Sequence, residues 1–237
     1  MSARINAFGQ PIGPALPDWS PRPRPPRTPM TGRTCRVVPL ETAHATDLFA
    51  TFNAASDRRG WTYLGDEMAD SETSYRARFA AMAASEDPLF HAILDRDGGA
   101  ALGIASYLRI DPGNGVIEVG HLHFGPQLQR RPAATEAMAL MMARAFDELG
   151  YRRYEWKCDS LNAPSRAAAL RLGFTFEGIF RNAVVVKGRS RDTAWFSITD
   201  AEWPKVRAGF AAWLDPVNFD AEGRQRHGLA ALRGAAG

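Results

Sequence analysis

A strand-like run that passes directly into a turn and then a long helix limits this chain to a mixed α/β fold. The turn and helix start read Gly125-Pro126-Gln127-Leu128-Gln129-Arg130-Arg131-Pro132-Ala133-Ala134-Thr135-Glu136-Ala137. Backbone N–H groups at a helix start lack intrahelical partners and carry partial positive charge, so they attract anions. The pattern predicts a phosphate-binding turn, with an exposed turn carrying two solvated arginines as the alternative.

The helix after Pro132 has the clearest periodicity in the chain. One apolar stripe at i, i+3, i+4, i+7 and i+11 contains Met138, Met141, Met142, Ala145 and Leu149. Gly150 stands where a helix C-terminal cap is expected.

The other elements follow from periodicity and turn-forming residues. Strands are predicted over residues 34–40, 89–95, 100–110, 115–124, 153–158, 174–180 and 193–198. Further helices are predicted over residues 41–54, 70–85, 162–172 and 201–214. Turns at 97–99 and 111–115 make three of the strands antiparallel neighbours. This order predicts a mixed, mostly antiparallel central sheet flanked by helices.

The two ends of the chain differ from its middle. Residues 1–33 hold eight of the sixteen prolines, which are excluded from helix interiors and sheet ladders. We expect a disordered, polyproline-like N-terminal arm over 1–33, a folded domain over 34–214 and a weakly ordered tail over 215–237.

Charge and composition limit the classes of partner. Residues 1–33 contain five arginines and one acid, which gives this segment a charge of +4. The net charge of the whole chain is +3, so residues 34–237 carry −1. A near-neutral domain gives little support for nucleic-acid binding, although the basic arm could contact an anionic partner. No run approaches the roughly 20 apolar residues of a membrane span, and no signal peptide is seen, so a cytoplasmic protein without membrane partners is expected.

The two cysteines, Cys35 and Cys158, lie far apart in the sequence. No Cys or His cluster has metal-ligand spacing, so we expect no metal and two buried, reduced cysteines.

Strand 115–124 carries the candidate base. Strict alternation places Glu118, Gly120, Leu122 and Phe124 on one face, and Ile117, Val119, His121 and His123 on the other. In a partly dry cleft the pKa of Glu118 would rise, which suits a general base, whereas the alternative is a cross-strand ion pair. His121 and His123 are further candidate bases, or structural side chains.

Coenzyme A fits the sequence between this strand and the helix. Its pyrophosphate suits the N–H groups of residues 129–134, with Arg130 and Arg131 adding charge-assisted bonds. Its peptide-like pantetheine arm suits an open strand edge that ends at Phe124. Asn162 and Ser165 begin a later helix, where they act as caps and where Ser165 could also protonate a leaving thiolate.

Three segments resemble the GNAT superfamily of acyl-CoA-dependent N-acetyltransferases, and most closely its RimJ/RimL-like branch. They are Ile117–Pro126, Gln129–Ala137 with its Q-x-x-P-A-A-T-E-A pattern, and Asn162–Gly178 with N-A-P-S and L-G-F-T-F-E-G. All three have the family's order and spacing, and the likeness covers about residues 34–200.

The resemblance implies a fold and a reaction. Two parallel strands, ending at Phe124 and Cys158, would splay into a V-shaped cleft for acetyl-CoA, the co-substrate. An amine would attack the thioester directly in a ternary complex, without a covalent enzyme intermediate. The acceptor would be a protein N-terminus or a small-molecule amine. A non-catalytic GNAT-like module that binds CoA or a partner is the alternative, and both a monomer and a homodimer stay open.

The resemblance also assigns residues to roles. The catalytic candidates are Glu118, His123 and Ser165. The candidate cofactor-binding residues are Leu122, His123, Phe124, Gln129, Arg130, Arg131, Ala133, Ala134, Thr135, Asn162 and Ser165. Backbone N–H groups at Leu122 and Phe124 would orient the acyl group, in part as an oxyanion site. The acceptor would meet Trp61, Tyr63, Glu118 and His121, and Asp66, Glu67 and Asp70 could attract a cationic acceptor.

Two positions depart from the family pattern. Pro132 replaces the usual glycine of the turn and has no N–H to donate. Ala169 stands where many members have a tyrosine that acts as the general acid, which leaves Ser165 as the candidate acid.

Overall fold

The computed structural model describes residues 4–54, 58–97 and 99–235. Their strands are β1 (Arg4–Ile5), β2 (Pro11–Ile12), β3 (Met30–Thr31), β4 (Cys35–Pro39), β5 (Leu89–Asp95), β6 (Ala101–Asp111), β7 (Val116–Phe124), β8 (Arg153–Asp159), β9 (Thr175–Val186) and β10 (Arg189–Thr199). Their α-helices are α1 (Ala45–Asn53), α2 (Glu72–Ala84), α3 (Pro132–Ala143), α4 (Ala163–Leu172), α5 (Trp203–Leu214) and α6 (Leu229–Ala235). In these ranges no helix has the length and apolar character needed to cross a bilayer.

One eight-stranded sheet organises the chain, in the order β3-β4-β5-β6-β7-β8-β10-β9. Every neighbouring pair is antiparallel except β7 and β8, which run parallel. The predicted mixed, mostly antiparallel sheet flanked by helices is therefore confirmed. The short strands β1 and β2 pair separately.

The sheet separates two hydrophobic cores. The larger core lies under α3, α4 and α5 and includes Ile117, Met141 and Tyr154. The smaller core lies under α1 and α2 and includes Phe52 and Phe90. Successive residues of a strand point to opposite faces, and β4, β5 and β6 each contribute to both cores.

Helix α3 forms where the methionine stripe predicted it. All five stripe residues are buried in the larger core: Met138, Met141, Met142, Ala145 and Leu149. The helix continues as a π-helical turn over Arg144–Glu148, and Gly150 follows with a φ of +71°. That left-handed conformation favours glycine, which explains where the helix ends.

The last two strands are longer than predicted. They meet at a tight turn formed by Lys187 and Gly188, both with positive φ. β9 is an edge strand that exposes almost every residue, including Phe180 and Val185. Because the run Val184–Val186 has no alternation of apolar and polar residues, periodicity gave no signal for this part of the strand.

The N-terminal segment is placed against the domain, which differs from the expected disordered arm. Met30 is buried and pairs with Val37, so the sheet begins before the predicted boundary at residue 34. Arg144 is itself buried and donates hydrogen bonds to the carbonyl oxygens of Thr28 and Pro29, at 2.7 and 3.1 Å. Proline-rich composition does not reveal these contacts because the groups that hold the segment lie far away in the sequence.

The C-terminal segment also packs onto the domain instead of forming a loose tail. Leu229 of α6 is buried in the larger core. Asn218 is buried and donates to the carbonyl oxygens of Trp213 and His227, at 3.1 and 3.2 Å. The predicted boundary at residue 215 therefore marks only the end of α5.

Candidate functional site

The parallel neighbours β7 and β8 diverge in the middle of the sheet. They pair over four positions, from Val116 with Arg153 to Val119 with Trp156. Beyond that pair β7 continues to Phe124 and β8 to Asp159 without further pairing. A gap therefore opens in the sheet, and the second half of β7 presents an open backbone edge to it.

A compact turn connects the end of β7 to α3. The N–H groups of Leu128 and Gln129 donate to the Gly125 carbonyl oxygen at 2.9 and 3.1 Å. The side-chain amide of Gln129 donates to the Phe124 carbonyl oxygen at 2.7 Å. Gln129 thus holds the turn together with its backbone N–H and its side-chain amide, whereas the prediction had the backbone N–H bind an anion.

Three N–H groups at the start of α3 remain available. Arg131 and Ala134 donate to carbonyl oxygens within the turn, and Pro132 has no N–H. The described residues supply no backbone acceptor to Arg130, Ala133 or Thr135. The side chains of Arg130 and Arg131 are exposed and form no ion pair within the described ranges. Both the free donors and the free charge sit at a helix start, where an anion is favoured.

A β-bulge at His121 changes which side chains of β7 share a face. His121 has a φ of +50°, and the pairing moves from Ser106 with Gly120 to Ile104 with His123, so β7 contains one extra residue. The prediction of strict alternation was wrong beyond this point. Leu122 and Phe124 pack on the larger core with Ile117 and Val119, whereas Glu118, His121 and His123 share the opposite face.

A cavity of about 250 Å³ lies on that opposite face, between α2 and the splayed half of β7. Its lining is Trp61, Leu64, Gly65, Asp66, Tyr75, Arg78, Phe79, Ala81, Met82, Phe90, Ile104, His121 and His123. Because His121 and His123 belong to the strand segment that borders the gap, the cavity and the gap lie side by side.

Ser106 orients the imidazole of His121. Its hydroxyl donates to the Gly120 carbonyl oxygen at 3.1 Å, and its oxygen lies 2.9 Å from His121 Nδ1. A hydroxyl has one proton, so Ser106 accepts from Nδ1–H and leaves Nε2 of His121 as a proton acceptor. Burial lowers the pKa of His121 from 6.5, which keeps the ring neutral at pH 7.

His123 occupies a more enclosed position. Its ring stacks on Phe52 with the centroids 3.7 Å apart and meets Trp61 edge-on at 4.4 Å. Burial, with a smaller contribution from Arg78, lowers the pKa of His123 to about 4. The ring is therefore a neutral wall of the cavity.

Glu118 lies at the apex of the gap, in a buried ion-pair cluster. Lys157 Nζ is 3.0 Å from Glu118 Oε2 and 2.7 Å from Glu155, and Arg109 Nε is 3.2 Å from Glu118 Oε2. Lys157 also lies 3.7 Å above the ring centre of Trp195. Burial raises the pKa of Glu118, although both cations oppose the shift. This geometry matches the cross-strand ion pair that the sequence left open.

Ser165 lies at the opposite side of the gap, at the start of α4. Its N–H donates to Asn162 Oδ1 at 3.1 Å, so Asn162 caps the helix as predicted. The indole N–H of Trp156 donates to Ser165 Oγ at 3.0 Å. The bond from Trp156 fixes the position of the hydroxyl oxygen, and the bond to Asn162 fixes the backbone of Ser165.

The loop that carries Trp61 bridges to the far side of the gap. Tyr63 donates to the Leu161 carbonyl oxygen at 3.1 Å. Lys187, from the β9–β10 turn, donates to the Trp61 carbonyl oxygen at 2.7 Å. Trp61, one of the predicted acceptor-binding residues, lines the cavity, whereas Tyr63 is outside its lining and bridges to the loop that precedes α4.

The comparisons with known proteins agree on one family. The model of the acetyltransferase (GNAT) domain matches residues 36–175, which is more than half of the chain. The chain belongs to the GNAT acetyltransferase family.

Similar proteins lie in several bacteria. A GCN5-related N-acetyltransferase from Brucella melitensis is 46% identical, with a TM-score of 0.91 over 92% of this chain and 100% of that one. A probable GNAT acetyltransferase from Chromobacterium violaceum is 39% identical, with a TM-score of 0.77 over 82% and 98% of the two chains. The putative ribosomal N-acetyltransferase YdaF of Bacillus subtilis is 24% identical over 60% of this chain and 78% of its own length. The last of these names is consistent with the RimJ/RimL-like branch.

Within this GNAT domain, the A-T-E-A segment serves mainly to hold the fold. The Thr135 side chain is buried and accepts a hydrogen bond from Arg171 at 3.1 Å, so only its backbone is available to a ligand. Glu136 is buried and accepts hydrogen bonds from the N–H groups of Arg33, Thr34 and Cys35. Its carboxylate therefore anchors the β3–β4 turn to α3.

Two other predictions can be compared with the GNAT structure directly. Cys35 and Cys158 are free and buried, as predicted. Ala169 is fully buried in α4 and packs in the larger core. Within the described ranges, no cluster of three or more His, Cys, Asp or Glu residues is arranged to hold a metal.

Sequence reasoning missed Lys157, Ser106 and Arg78. The place of Lys157 could have been inferred from the sequence, because Glu155 and Lys157 alternate with apolar residues on β8 and therefore share one face of the strand. In the structure this is the face of Glu118. Ser106 and Arg78 had no such signal, since their roles depend on the bulge at His121 and on the course of α2.

Proposed function

We propose that this GNAT protein transfers the acetyl group of acetyl-CoA to a primary amine by direct attack in a ternary complex. One observation carries the proposal: β7 and β8 stop pairing after Val119 and Trp156, and β7 then leads straight into a turn with free N–H groups. An open strand edge followed by an anion site suits a ligand with a peptide-like arm and a pyrophosphate.

The residues around the gap fit acetyl-CoA, which supplies an acetyl thioester. Arg130 and Ala133 have free backbone N–H groups for the pyrophosphate, and the guanidinium groups of Arg130 and Arg131 can add charge-assisted bonds. The unpaired edge of residues 120–124 can bond the pantetheine amides. The donors that remain after the loss of an N–H at Pro132 are thus sufficient to suggest an anion site.

His121 is the best-placed proton acceptor for the amine. It lines the cavity, its Nε2 is unprotonated, and Ser106 fixes the ring. His123 is enclosed between aromatic rings, and Glu118 is outside the cavity lining and bound by two cations. We therefore assign the base role to His121 instead of Glu118 or His123, and we assign Glu118 to holding β7 and β8 together.

Ser165 is the candidate proton donor for the departing thiolate. The bond from Trp156 fixes its hydroxyl oxygen at the edge of the gap, and Asn162 holds its backbone. It also lies beside the Cys158 thiol, whose pKa is raised by burial and lowered in part by the hydrogen bond from Ser165. To act as the acid, the Ser165 hydroxyl would turn from the Cys158 sulfur to the departing thiolate.

Thiol release from acetyl-CoA in the presence of primary amines tests the proposal. We expect amine-dependent release, and Ser165→Ala should lower kcat by about 100-fold because a positioned acid is lost. Ser165→Thr keeps the hydroxyl and should retain most of the activity. Calorimetry with acetyl-CoA provides the second measurement.

The outcomes separate the two functions that the sequence left open. Tight binding of acetyl-CoA without thiol release for any amine would favour the non-catalytic binding module. Absence of binding would overturn the assignment of the gap to acetyl-CoA.

A further inference from the structure

We propose, on the basis of the function proposed above, that the acceptor is a primary amine carried on one apolar group the size of an amino-acid side chain. The proposal excludes polyamines, aminoglycosides and free amino acids as preferred acceptors. It rests on the size, lining and charge of the cavity beside His121.

The cavity is small and mostly apolar. Its volume of about 250 Å³ is below the range of about 300–1,000 Å³ that holds drug-sized ligands. The walls are rings and aliphatic chains, such as Trp61, Phe79, Phe90 and Ile104, of which all four are nearly buried. One aromatic or branched apolar group fits such a volume, whereas an amino sugar with several rings does not.

The acidic side chains near the cavity already have cationic partners. Asp66 pairs with Arg78, and Glu67 lies 3.2 Å from Lys187. At the apex of the gap, Glu118 is paired with Lys157 and Arg109. Asp70 lies 4.0 Å from Arg58. The predicted attraction of Asp66, Glu67 and Asp70 for a cation is therefore largely cancelled, and a polyamine would find little uncompensated negative charge.

A substrate carboxylate would also lack a partner. Arg78 is the cationic side chain that lines the cavity, and it donates to the Glu67 carbonyl oxygen at 3.0 Å while pairing with Asp66. The lining histidines are neutral, because burial lowers both of their pKa values. Burying an unpaired carboxylate is costly, so free amino acids should be poor acceptors.

The apolar amine could be a small molecule or the first residue of a peptide, and the test distinguishes these sources. Thiol release is measured with 2-phenylethylamine, a peptide amide that begins with Phe, free phenylalanine, spermidine and kanamycin. We expect kcat/KM for 2-phenylethylamine or the peptide to exceed that for the other three by about tenfold or more. The better of the first two identifies the source.

Two tryptophan substitutions on α2 provide a matched pair. Ala81 and Ala80 are both exposed, but only Ala81 lines the cavity. Ala81→Trp should lower kcat/KM for the apolar amine by about tenfold or more while leaving acetyl-CoA affinity unchanged. Ala80→Trp should leave both quantities unchanged, which controls for folding.

The outcomes keep this inference distinct from the proposed function. Preference for spermidine, kanamycin or free phenylalanine overturns the inference but leaves acetyl transfer standing, as does equal activity of both tryptophan variants. If no amine releases thiol, calorimetry with 2-phenylethylamine decides: binding that Ala81→Trp abolishes supports the cavity assignment without the reaction. Absence of both turnover and binding overturns both proposals.

Discussion

His121 combines an unusual backbone conformation with a fixed side chain. Its φ of +50° places the imidazole on the cavity side of the sheet, and Ser106 holds Nδ1. Asparagine tolerates this backbone region better than most residues, so His121→Asn should preserve the bulge. We expect kcat to fall by about 100-fold or more and KM for acetyl-CoA to stay unchanged, because only proton transfer is lost.

Steady-state kinetics with an apolar amine measures both constants. His227→Asn is the control, since His227 is exposed and lies in the C-terminal segment. A fall in acetyl-CoA affinity equal to the fall in kcat would show instead that the bulge itself had changed.

Glu136 predicts how stability depends on pH. Burial raises its pKa, but hydrogen bonds from Thr34, Arg33 and Cys35 outweigh burial, so the folded-state pKa lies below the usual 4.5. The ionised carboxylate therefore stabilises the fold above pH 4.5, and this contribution is lost as the pH falls through the folded-state pKa. Glu136→Gln should cost about 1.5–3 kcal/mol at pH 7 and less near pH 4.

Urea unfolding of both proteins at the two pH values checks this prediction. Exposed Glu222 pairs with Arg224 at the surface, and Glu222→Gln should change little at either pH. A difference between wild type and Glu136→Gln that grows as the pH falls would contradict the expected sign.

At the scale of elements, the Glu118–Lys157 pair joins β7 to β8 at the point where they diverge. Lys157→Met leaves two buried carboxylates without their shared cation, so it should destabilise the fold by about 3–5 kcal/mol. The double variant with Glu118→Gln should recover part of that loss, because the uncompensated charge at Glu118 is removed. A double-mutant cycle by urea unfolding measures the coupling, and additive losses would show that the two side chains act independently.

Most elements could be predicted from the sequence because local signals define them. Gly150 ends its helix through a left-handed backbone conformation, and its position was evident from the apolar stripe that preceded it. The bulge at His121 has no such signal, since histidine replaces the expected glycine and the cause lies in pairing with β6. The protein family could be predicted from the sequence, but the positions of Glu118 and His121 relative to the cavity depend on that one extra residue of β7.

The ion pairs around the cavity could not be predicted from the sequence either. The acidic run near Asp66 suggested affinity for a cationic acceptor. Asp66 pairs with Arg78 on α2, and Glu67 pairs with Lys187, in a turn more than a hundred residues later. Residues so far apart in the sequence give no sign that they pair, although their pairing neutralises the acidic side chains near the cavity.

For the whole molecule, the N-terminal segment should contribute to stability through Arg144. Removing residues 1–29 takes away the Thr28 and Pro29 acceptors and leaves a buried guanidinium partly unsatisfied, at a cost of about 1–3 kcal/mol. At about 2–4 °C per kcal/mol, Tm should fall by several degrees. Removing only residues 1–13, which include the exposed pair β1 and β2, should leave Tm nearly unchanged.

Thermal unfolding of the two truncated proteins and the full chain provides the measurement. Equal Tm values for all three would show that Arg144 finds replacement partners. Equal losses for both truncations would instead assign the stability to β1 and β2.

The two cores on opposite faces of the sheet have a consequence for how the protein can diverge. The side chains of the cavity proposed for the amine come mainly from the smaller core, whereas the helix after the proposed anion-binding turn is anchored in the larger one. Under the proposed function, mutations beneath α1 and α2 would change acceptor choice without altering the proposed acetyl-CoA site. Homologous proteins with this scaffold can in this way acquire new amine specificities while the part of the site proposed for acetyl-CoA stays the same.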